Sequence, residues 1–324
     1  MIMVILTKTT ILDFLACEKK YQLGQVLGYQ EKNKPKVMII GTMLHLAKEL
    51  FGKGVEPNKI KLKVQNEILD LFRNGMFDES TCKEIETIAF HGAYNAPWPV
   101  LPGSEFEVLI RMPMSDVMDD IYGRAIPYNF EFGGRIDEVV PVRDSVQLID
   151  YKTKDSISNV GLSWFEKVLS LDLQQILYRK AYSKLFNINV SSFEFRYIKR
   201  PGIRQKKNES HDDYLSRMAT EYASSENVTK YYSSCIALDC HSKTVTSSLL
   251  NILWRLADCY HTKVWSMNPT SCISYNHACK YLPICFAEPG WRELYDQVGS
   301  DYHPELEEKN EKRERTTEDG KQGF

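Results

Sequence analysis

The stretch Phe132–Asp155, FGGRIDEVVPVRDSVQLIDYKTKD, decides the fold. It reads as two strands around a short turn centred between Arg143 and Asp144. In that register Asp137 faces Asp150 directly, and Lys152, two residues on, lies on the same side as Asp150. Directly opposed residues hold their Cβ atoms roughly 4.5–5.5 Å apart, and like charges there are destabilising. A divalent cation between the carboxylates offsets that cost, because hard oxygen donors suit Mg²⁺ or Mn²⁺. The competing reading is a solvated outer face with charges at the hairpin end. Ile136, Val139, Val140, Leu148 and Ile149 weigh against it, because they make both strands largely apolar.

Outward from the hairpin, SEFEVLIRMPM alternates as a strand and is followed by an excursion from Ser115 to Tyr128. Before it, the pattern predicts helices over Thr9–Leu27, the GTMLHLAKELFGKG stretch, Lys59–Asn74 and about Thr81–Ala93, then a loop at NAPWPVLPG. After it come a long helix within WFEKVLSLDLQQILYRKAYSKLF and a strand at SSFEFRYIKR. A helix over DDYLSRMATEYASS, a strand at KYYSSCIALDC and a helix over Leu249–Val264 come next. The succession strand, strand, helix, strand places an α/β sheet at the centre with helices before and after. The tail from Glu305 is charged, nearly free of apolar residues, and reads as disordered.

The chain of 324 residues is long enough for one large domain or two small ones. At 43% hydrophobic and 26% charged residues it has the composition of a globular protein. A net charge of −2 excludes a global basic pull, so binding to a polyanion rests on local patches. No apolar run reaches the roughly 18 residues of a membrane span, and the opening MIMVILTKTTILDFLACEKK lacks a basic leader and cleavage site. A cytoplasmic setting, with no membrane partner, is the expectation. In a reducing compartment the eight cysteines favour metal binding or burial over disulfides.

Cys272, Cys279 and Cys285 lie in one short segment, NPTSCISYNHACKYLPICF, separated by six and five residues. Three thiols so close are placed to share a soft metal centre, and Cys17 near the other terminus is the best candidate for a fourth ligand. Spacing leaves zinc and iron–sulfur open. Cys82, Cys235, Cys240 and Cys259 read as ordinary buried thiols.

Taken together, FLACEKKYQL, the G-x-x-x-H of GTMLH, GGRID, DYKTK, the Q-x-x-x-Y of QQILY and the closing cysteines resemble the PD-(D/E)XK nuclease superfamily. The likeness is to its iron–sulfur branch, the nuclease domains of RecB- and AddB-type helicase–nucleases and the CRISPR-adaptation exonucleases, with phage-encoded stand-alone versions similar too. The resemblance implies a restriction-endonuclease-like α/β fold, a mixed central sheet flanked by helices, with an N-terminal helical region and a C-terminal cysteine loop. It implies a nuclease domain over 1–300, with a helical insertion-like region at about 41–100, a cluster-binding loop at about 264–288 and a disordered charged tail at 301–324. Asp137 and Asp150 would ligate Mg²⁺ or Mn²⁺ with the backbone carbonyl of Tyr151, and His45 would be a further ligand. Lys152 would orient or activate the attacking water. Gln174 and Tyr178, one helical turn apart, would line the site and position DNA. Cys17, Cys272, Cys279 and Cys285 would hold a 4Fe–4S cluster, with Zn²⁺ the alternative. The chain carries Asp150 where many relatives have Glu, and six residues between Cys272 and Cys279 where several relatives have two.

The implied activity is phosphodiester hydrolysis by a metal-dependent exonuclease on single-stranded or end-containing DNA, in recombination, repair or replication, alongside a helicase or recombination partner. The setting implied is a bacterial or phage-infected cytoplasm. A catalytically weak DNA-binding or adaptor protein retaining the fold is the rival. For DNA contact the loop KRPGIRQKK offers Lys199, Arg200, Arg204, Lys206 and Lys207, with a solvated loop the competing reading. Tyr197, Tyr231 and Tyr232 could stack on bases, though core packing suits them better.

Overall fold

The computed structural model describes residues 3–118, 128–154, 168–224, 231–236, 242–274, 277–300 and 302–306. In chain order the elements begin β1 (Val4–Leu6), α1 (Lys8–Ala16), α2 (Glu18–Tyr21), β2 (Tyr29–Glu31), α3 (Lys36–Gly52), α4 (Pro57–Arg73) and α5 (Glu79–Tyr94). The sheet continues with β3 (Glu105–Pro113), the short α6 (Met114–Met118), β4 (Phe130–Val142) and β5 (Ser145–Lys154). Then come α7 (Leu173–Phe186), β6 (Asn189–Lys199), α8 (His211–Ala223), β7 (Tyr231–Ile236) and α9 (Ser242–Thr262). The cysteine segment carries the two-residue strands β8 (Ile273–Ser274) and β9 (His277–Ala278), then α10 (Leu282–Cys285) and β10 (Tyr295–Gln297).

The hairpin forms in the expected register from Val142 opposite Ser145 to Glu138 opposite Ile149, but the ladder ends there, one step short of the expected facing pair Asp137 and Asp150. Its strands are the centre of a six-stranded mixed sheet, ordered β1-β4-β5-β6-β7 with β3 on the other edge of β4. The apolar run of the hairpin is explained by burial on both faces. Leu148 joins a core with Ile11, Phe14, Leu177, Leu253 and Leu256. Its neighbour Ile149 joins the opposite core with Ile40, Leu44, Ile85 and Met218. Helices therefore cover both faces of the sheet, as the strand–helix succession implied.

Glycine decides one close approach. A Cβ on Gly134 would stand 2.5 Å from a ring carbon of Tyr178, and one on Gly133 2.5 Å from Leu306. The glycine pair thus lets a tyrosine and a leucine press on the strand. Gly134→Ala should destabilise the fold by about 1–3 kcal/mol through overpacking, read as a lower denaturant midpoint with an unchanged slope. A midpoint equal to wild type would show that Tyr178 moves aside freely.

Several expectations are corrected. The helix expected over Thr9–Leu27 breaks at Cys17, which takes extended backbone (φ −167°, ψ 119°), and the chain resumes as α2 and a π-turn at Gln22–Val26. Helix α3 begins before Gly41, where Ile39 and Ile40 continue the buried stripe of Met43, Leu44 and Ala47, and α9 begins before Leu249 with a largely polar first turn. Strands β1, β2 and β10, three residues each, are too short to show any period. Cys235 is exposed, since β7 alternates and buries Ser234 and Ile236 instead. The tail expected to be disordered from 301 starts with a docked turn: His303 and Leu306 are buried, and His303 Nε2 lies 3.1 Å from the Ile5 carbonyl. The expectations for 119–127, 155–167, Cys240 and 307–324 lie outside the described residues.

Candidate active site

Strand β4 changes partners along one edge. At Phe130–Phe132 that edge pairs with β1, and from Glu138 to Val142 it pairs with β5. Between the two ladders the strands part, and the side chain of Asp137 replaces the missing backbone acceptor. Its Oδ2 accepts the Tyr151 N–H at 2.6 Å. Asp150 and Lys152 flank Tyr151 on β5, with Lys152 Nζ 2.7 Å from Asp150 Oδ2. Helix α3 passes this opening and brings His45 Nδ1 to 3.2 Å from Asp137 Oδ1. Helix α7 starts at the opening, its N-terminus capped by Asp172, whose Oδ1 accepts the Gln174 N–H at 2.7 Å. That cap aims Gln174 inward. Its amide nitrogen donates to Asp150 Oδ1, and its Oε1 accepts from Lys152 at 3.0 Å and from Lys8 at 3.1 Å.

So Asp137, Asp150, Lys152, His45, Gln174 and the Tyr151 peptide, drawn from three separate parts of the chain, meet in one opening. Tyr178 takes a different place: its ring is buried against Phe132 and Phe193, with centroids 5.9 and 6.4 Å away, and shapes the floor beneath Gly134.

The electrostatics separate the two carboxylates. Burial raises both, but His45, Lys152 and the Tyr151 N–H hold Asp137 below the usual range. For Asp150, burial and the neighbouring Asp137 outweigh Lys152, so its carboxyl is raised. Burial works to lower His45, yet Asp137 overcomes it and pushes the imidazole up to about 9. Lys152 is raised by Asp150 and Asp137 against the effect of burial. Two carboxylates and a peptide carbonyl are the oxygen donors that suit a hard divalent ion, with an imidazole beside them. Asp150 Oδ2 supports that fit: it is buried, in ion-pair contact with Lys152, and receives no well-directed hydrogen bond among the described residues.

The reverse side of the same two strands is braced. Glu138 Oε2 accepts from Tyr151 Oη at 2.6 Å and from Arg196 Nη1 at 3.2 Å, and Arg196 Nη2 pairs with Glu194 at 3.0 Å. The hydroxyl bond ties β4 to β5 just where their ladder ends. Lys48 lies over the Tyr151 ring at 5.1 Å, and burial pulls its ammonium down to about 8 despite Glu138. Between that value and the ordinary one near 10.4 the unfolded chain binds more protons, so this contribution to stability rises with pH. His45 acts in the opposite sense, because its raised value costs stability as pH climbs toward 9. The comparison with Lys48→Met isolates the lysine. From pH 8 to 9.5 the stability difference should shift by about 2 kcal/mol in favour of wild type. Parallel denaturant curves at both pH values check this, and a constant difference would refute it.

A family profile of the PD-(D/E)XK nuclease superfamily matches residues 6–286. The chain belongs to the PD-(D/E)XK nuclease superfamily. A metal-dependent nuclease hydrolase is thereby its class. A solved structure titled "Crystal structure of SSO0001" aligns over 70% of this chain and 87% of its own, at 14% identity and a TM-score of 0.26. No curated protein matches.

Within this superfamily fold the structure adds two groups that sequence reasoning missed. Glu107 brings a carboxylate to within 4.8 Å of the ligand atoms of His45 and Asp137. Lys8 pairs with Asp172 at 3.1 Å and shares the Gln174 oxygen with Lys152. Nothing marks Glu107 within an alternating strand, or Lys8 at the start of a helix. Lys154, with its ammonium 4.9 Å above the Tyr197 ring, is lowered by burial and then by Lys152 and Lys8, so three lysines gather at this opening. Lys199 and Arg200 continue from the same end of the sheet, where Lys199 is paired with Lys154, while Arg204, Lys206 and Lys207 are exposed on the loop beyond. Tyr197 is buried, as core packing requires, and Tyr231 donates to the Gly92 carbonyl at 3.3 Å.

Cys17 meets the start of the cysteine segment. The break at Cys17 turns its Sγ toward the Asn268 N–H, 3.4 Å away, and the Cys272 carbonyl accepts the Cys279 N–H at 2.7 Å. Burial raises the Cys285 thiol, and Cys279, Cys17 and Cys272 raise it further.

Proposed function

We propose that this chain is a DNA exonuclease acting on single-stranded or end-containing DNA, in recombination, repair or replication, and that its four cysteines hold a structural 4Fe–4S cluster. The convergence of Asp137, Asp150, Lys152 and His45 in the opening between β4 and β5 carries the nuclease reading. The exonuclease and cluster readings rest on the resemblance of the six motifs to the RecB/AddB branch, and on Cys17 meeting the start of the segment that holds the other three cysteines. A helicase or recombination partner and a cytoplasmic setting are part of the same reading.

Asp137, Asp150, the Tyr151 carbonyl and His45 would hold Mg²⁺ or Mn²⁺, which supplies polarisation of the phosphate and acidification of a water. Lys152 would orient that water and stabilise charge developing on the phosphoryl oxygens. Gln174 fixes Asp150 and Lys152 relative to one another, because it bonds both. Lys8 and Lys154 would hold flanking phosphates, with Lys199, Arg200, Arg204, Lys206 and Lys207 extending the track. Tyr178 keeps the floor rigid.

Labelled linear and circular DNA, single- and double-stranded, incubated with the full chain and Mg²⁺ or Mn²⁺ tests this. Degradation of linear but not circular strands is the expected result. Cleavage of circles would replace the exonuclease reading with an endonuclease. DNA binding without cleavage, unaffected by Asp137→Ala, would favour the adaptor.

A further inference from the structure

We propose that Glu107 is an additional carboxylate ligand of the divalent ion, with Arg135 and the ion competing for it. The proposal rests on the metal-site reading above. Among the described residues five that are not glycine have positive φ: Glu107, Arg143, Asn187, Lys263 and Ala287. The last four sit in turns or just past helix ends. Glu107 alone lies inside a strand, at φ 57°. The ladder to β4 pairs Phe106 with Glu138 and Val108 with Ile136, and so passes over Glu107 at the point facing Asp137.

A left-handed residue with a side chain is disfavoured, and it persists only where the surroundings over-determine it. Phe106 provides part of that restraint, since its ring fills the space a Cβ on Gly52 would need. Arg135 provides more: its Nη1 donates to the Glu107 carbonyl at 3.4 Å, and its Nε lies 3.7 Å from Glu107 Oε2. The outcome is a carboxylate, 12% exposed, delivered to the same opening as His45 and Asp137. Glycine would meet the backbone demand with less strain. A glutamate kept there in spite of the conformation points to a use for its side chain.

The donors support that use. Mg²⁺ and Mn²⁺ take oxygen donors at about 2.0–2.2 Å, so two ligands of one ion stand no more than about 4.4 Å apart. Ligand atoms of His45, Glu107 and Asp137 all lie within 4.8 Å of one another, which small side-chain rotations close. A second observation is independent of Glu107. Asp150, 3% exposed, keeps a carboxylate oxygen at this opening whose contact is the Lys152 ion pair at 2.7 Å.

Mn²⁺ binding to the full chain, followed by electron paramagnetic resonance and equilibrium dialysis, tests the proposal with Glu107→Gln, Glu107→Gly and Asp150→Asn. Both Glu107 variants should bind Mn²⁺ about 10–100-fold more weakly, the range lost with a supporting metal-site group. Glu107→Gly should also melt higher than wild type without metal, because it relieves the strand conformation. That pairing separates a ligand from a residue with only a structural role, whose removal would leave Mn²⁺ affinity unchanged. If wild type binds Mn²⁺ and Asp150→Asn loses it while both Glu107 variants bind normally, Glu107 is not a ligand and the metal-site reading stands. If wild type binds no Mn²⁺, the metal-site reading falls and this proposal with it.

Discussion

Asp150→Asn and Lys152→Ala should each lower Mg²⁺-dependent DNA hydrolysis by about 10²–10³-fold or more, the scale of losing one group that stabilises developing charge. The two variants should fail in different ways. In Asp150→Asn the new amide keeps an oxygen that accepts from the Gln174 amide, so the opening stays assembled, but the charge that would hold the ion is gone. Asp150 is buried, and its carboxyl is raised by burial and by Asp137, which means its charge is held at a cost. Asp150→Asn should therefore melt no lower than wild type while losing activity, as expected of a residue kept for function. Lys152→Ala leaves the carboxylates in place. Its loss should fall on kcat, with DNA affinity in Ca²⁺ changed little, because Lys8 and Lys154 remain beside the site. Single-turnover assays and DNA-binding titrations separate these effects. Activity within tenfold of wild type in both variants would remove the opening from the catalytic machinery.

On the proposed cluster reading, anaerobically purified protein should be brown, and Cys279→Ser should abolish that colour and the iron and sulfide and lower the melting temperature by about 5–10 °C. A cross-link joining the two ends of a chain this long closes a very large loop, worth about 5 kcal/mol by loop-closure entropy, with measured gains often smaller. At roughly 2–4 °C per kcal/mol for a domain of this size, a partial loss gives the stated range. The loss is partial because other ties remain between the ends. Arg255 pairs with Glu18 at 2.7 Å, the Ser266 N–H donates to Glu18 at 2.8 Å, and β2 pairs with β10. Proteolysis should accordingly begin near both termini. DNA hydrolysis in the folded fraction should persist, since phosphodiester hydrolysis transfers no electron. Zinc in stoichiometric amount would replace the cluster and keep the structural role. An unchanged melting temperature would end that role.

The hairpin register was legible because its two strands are neighbours in sequence. A two-residue turn at Arg143 and Asp144 leaves one pairing that buries Val139, Val140, Leu148 and Ile149, so Asp137, Asp150 and Lys152 could be placed from local alternation. The helices on either side of the sheet were legible for the same reason, through their apolar period. Short strands escaped: β1 has three residues, and its pairing with β4 comes from a partner more than a hundred positions away.

The tertiary structure alone decided what completes the opening. Sequence could nominate His45 and Gln174 only through a family likeness, whereas their contacts arise because α3 and α7 pack on opposite faces of the sheet and meet at the parting of β4 and β5. Glu107 became visible only when the ladder between β3 and β4 skipped it. Lys8 became visible only when the N-terminus of α1 was placed beside that of α7. The same holds for Cys17, whose helix breaks to meet a segment from the other end of the chain. Alternation and periodicity are short-range constraints that sequence carries in full. Which distant surfaces come together depends on how two apolar helical layers cover one twisted sheet, and no single segment encodes that.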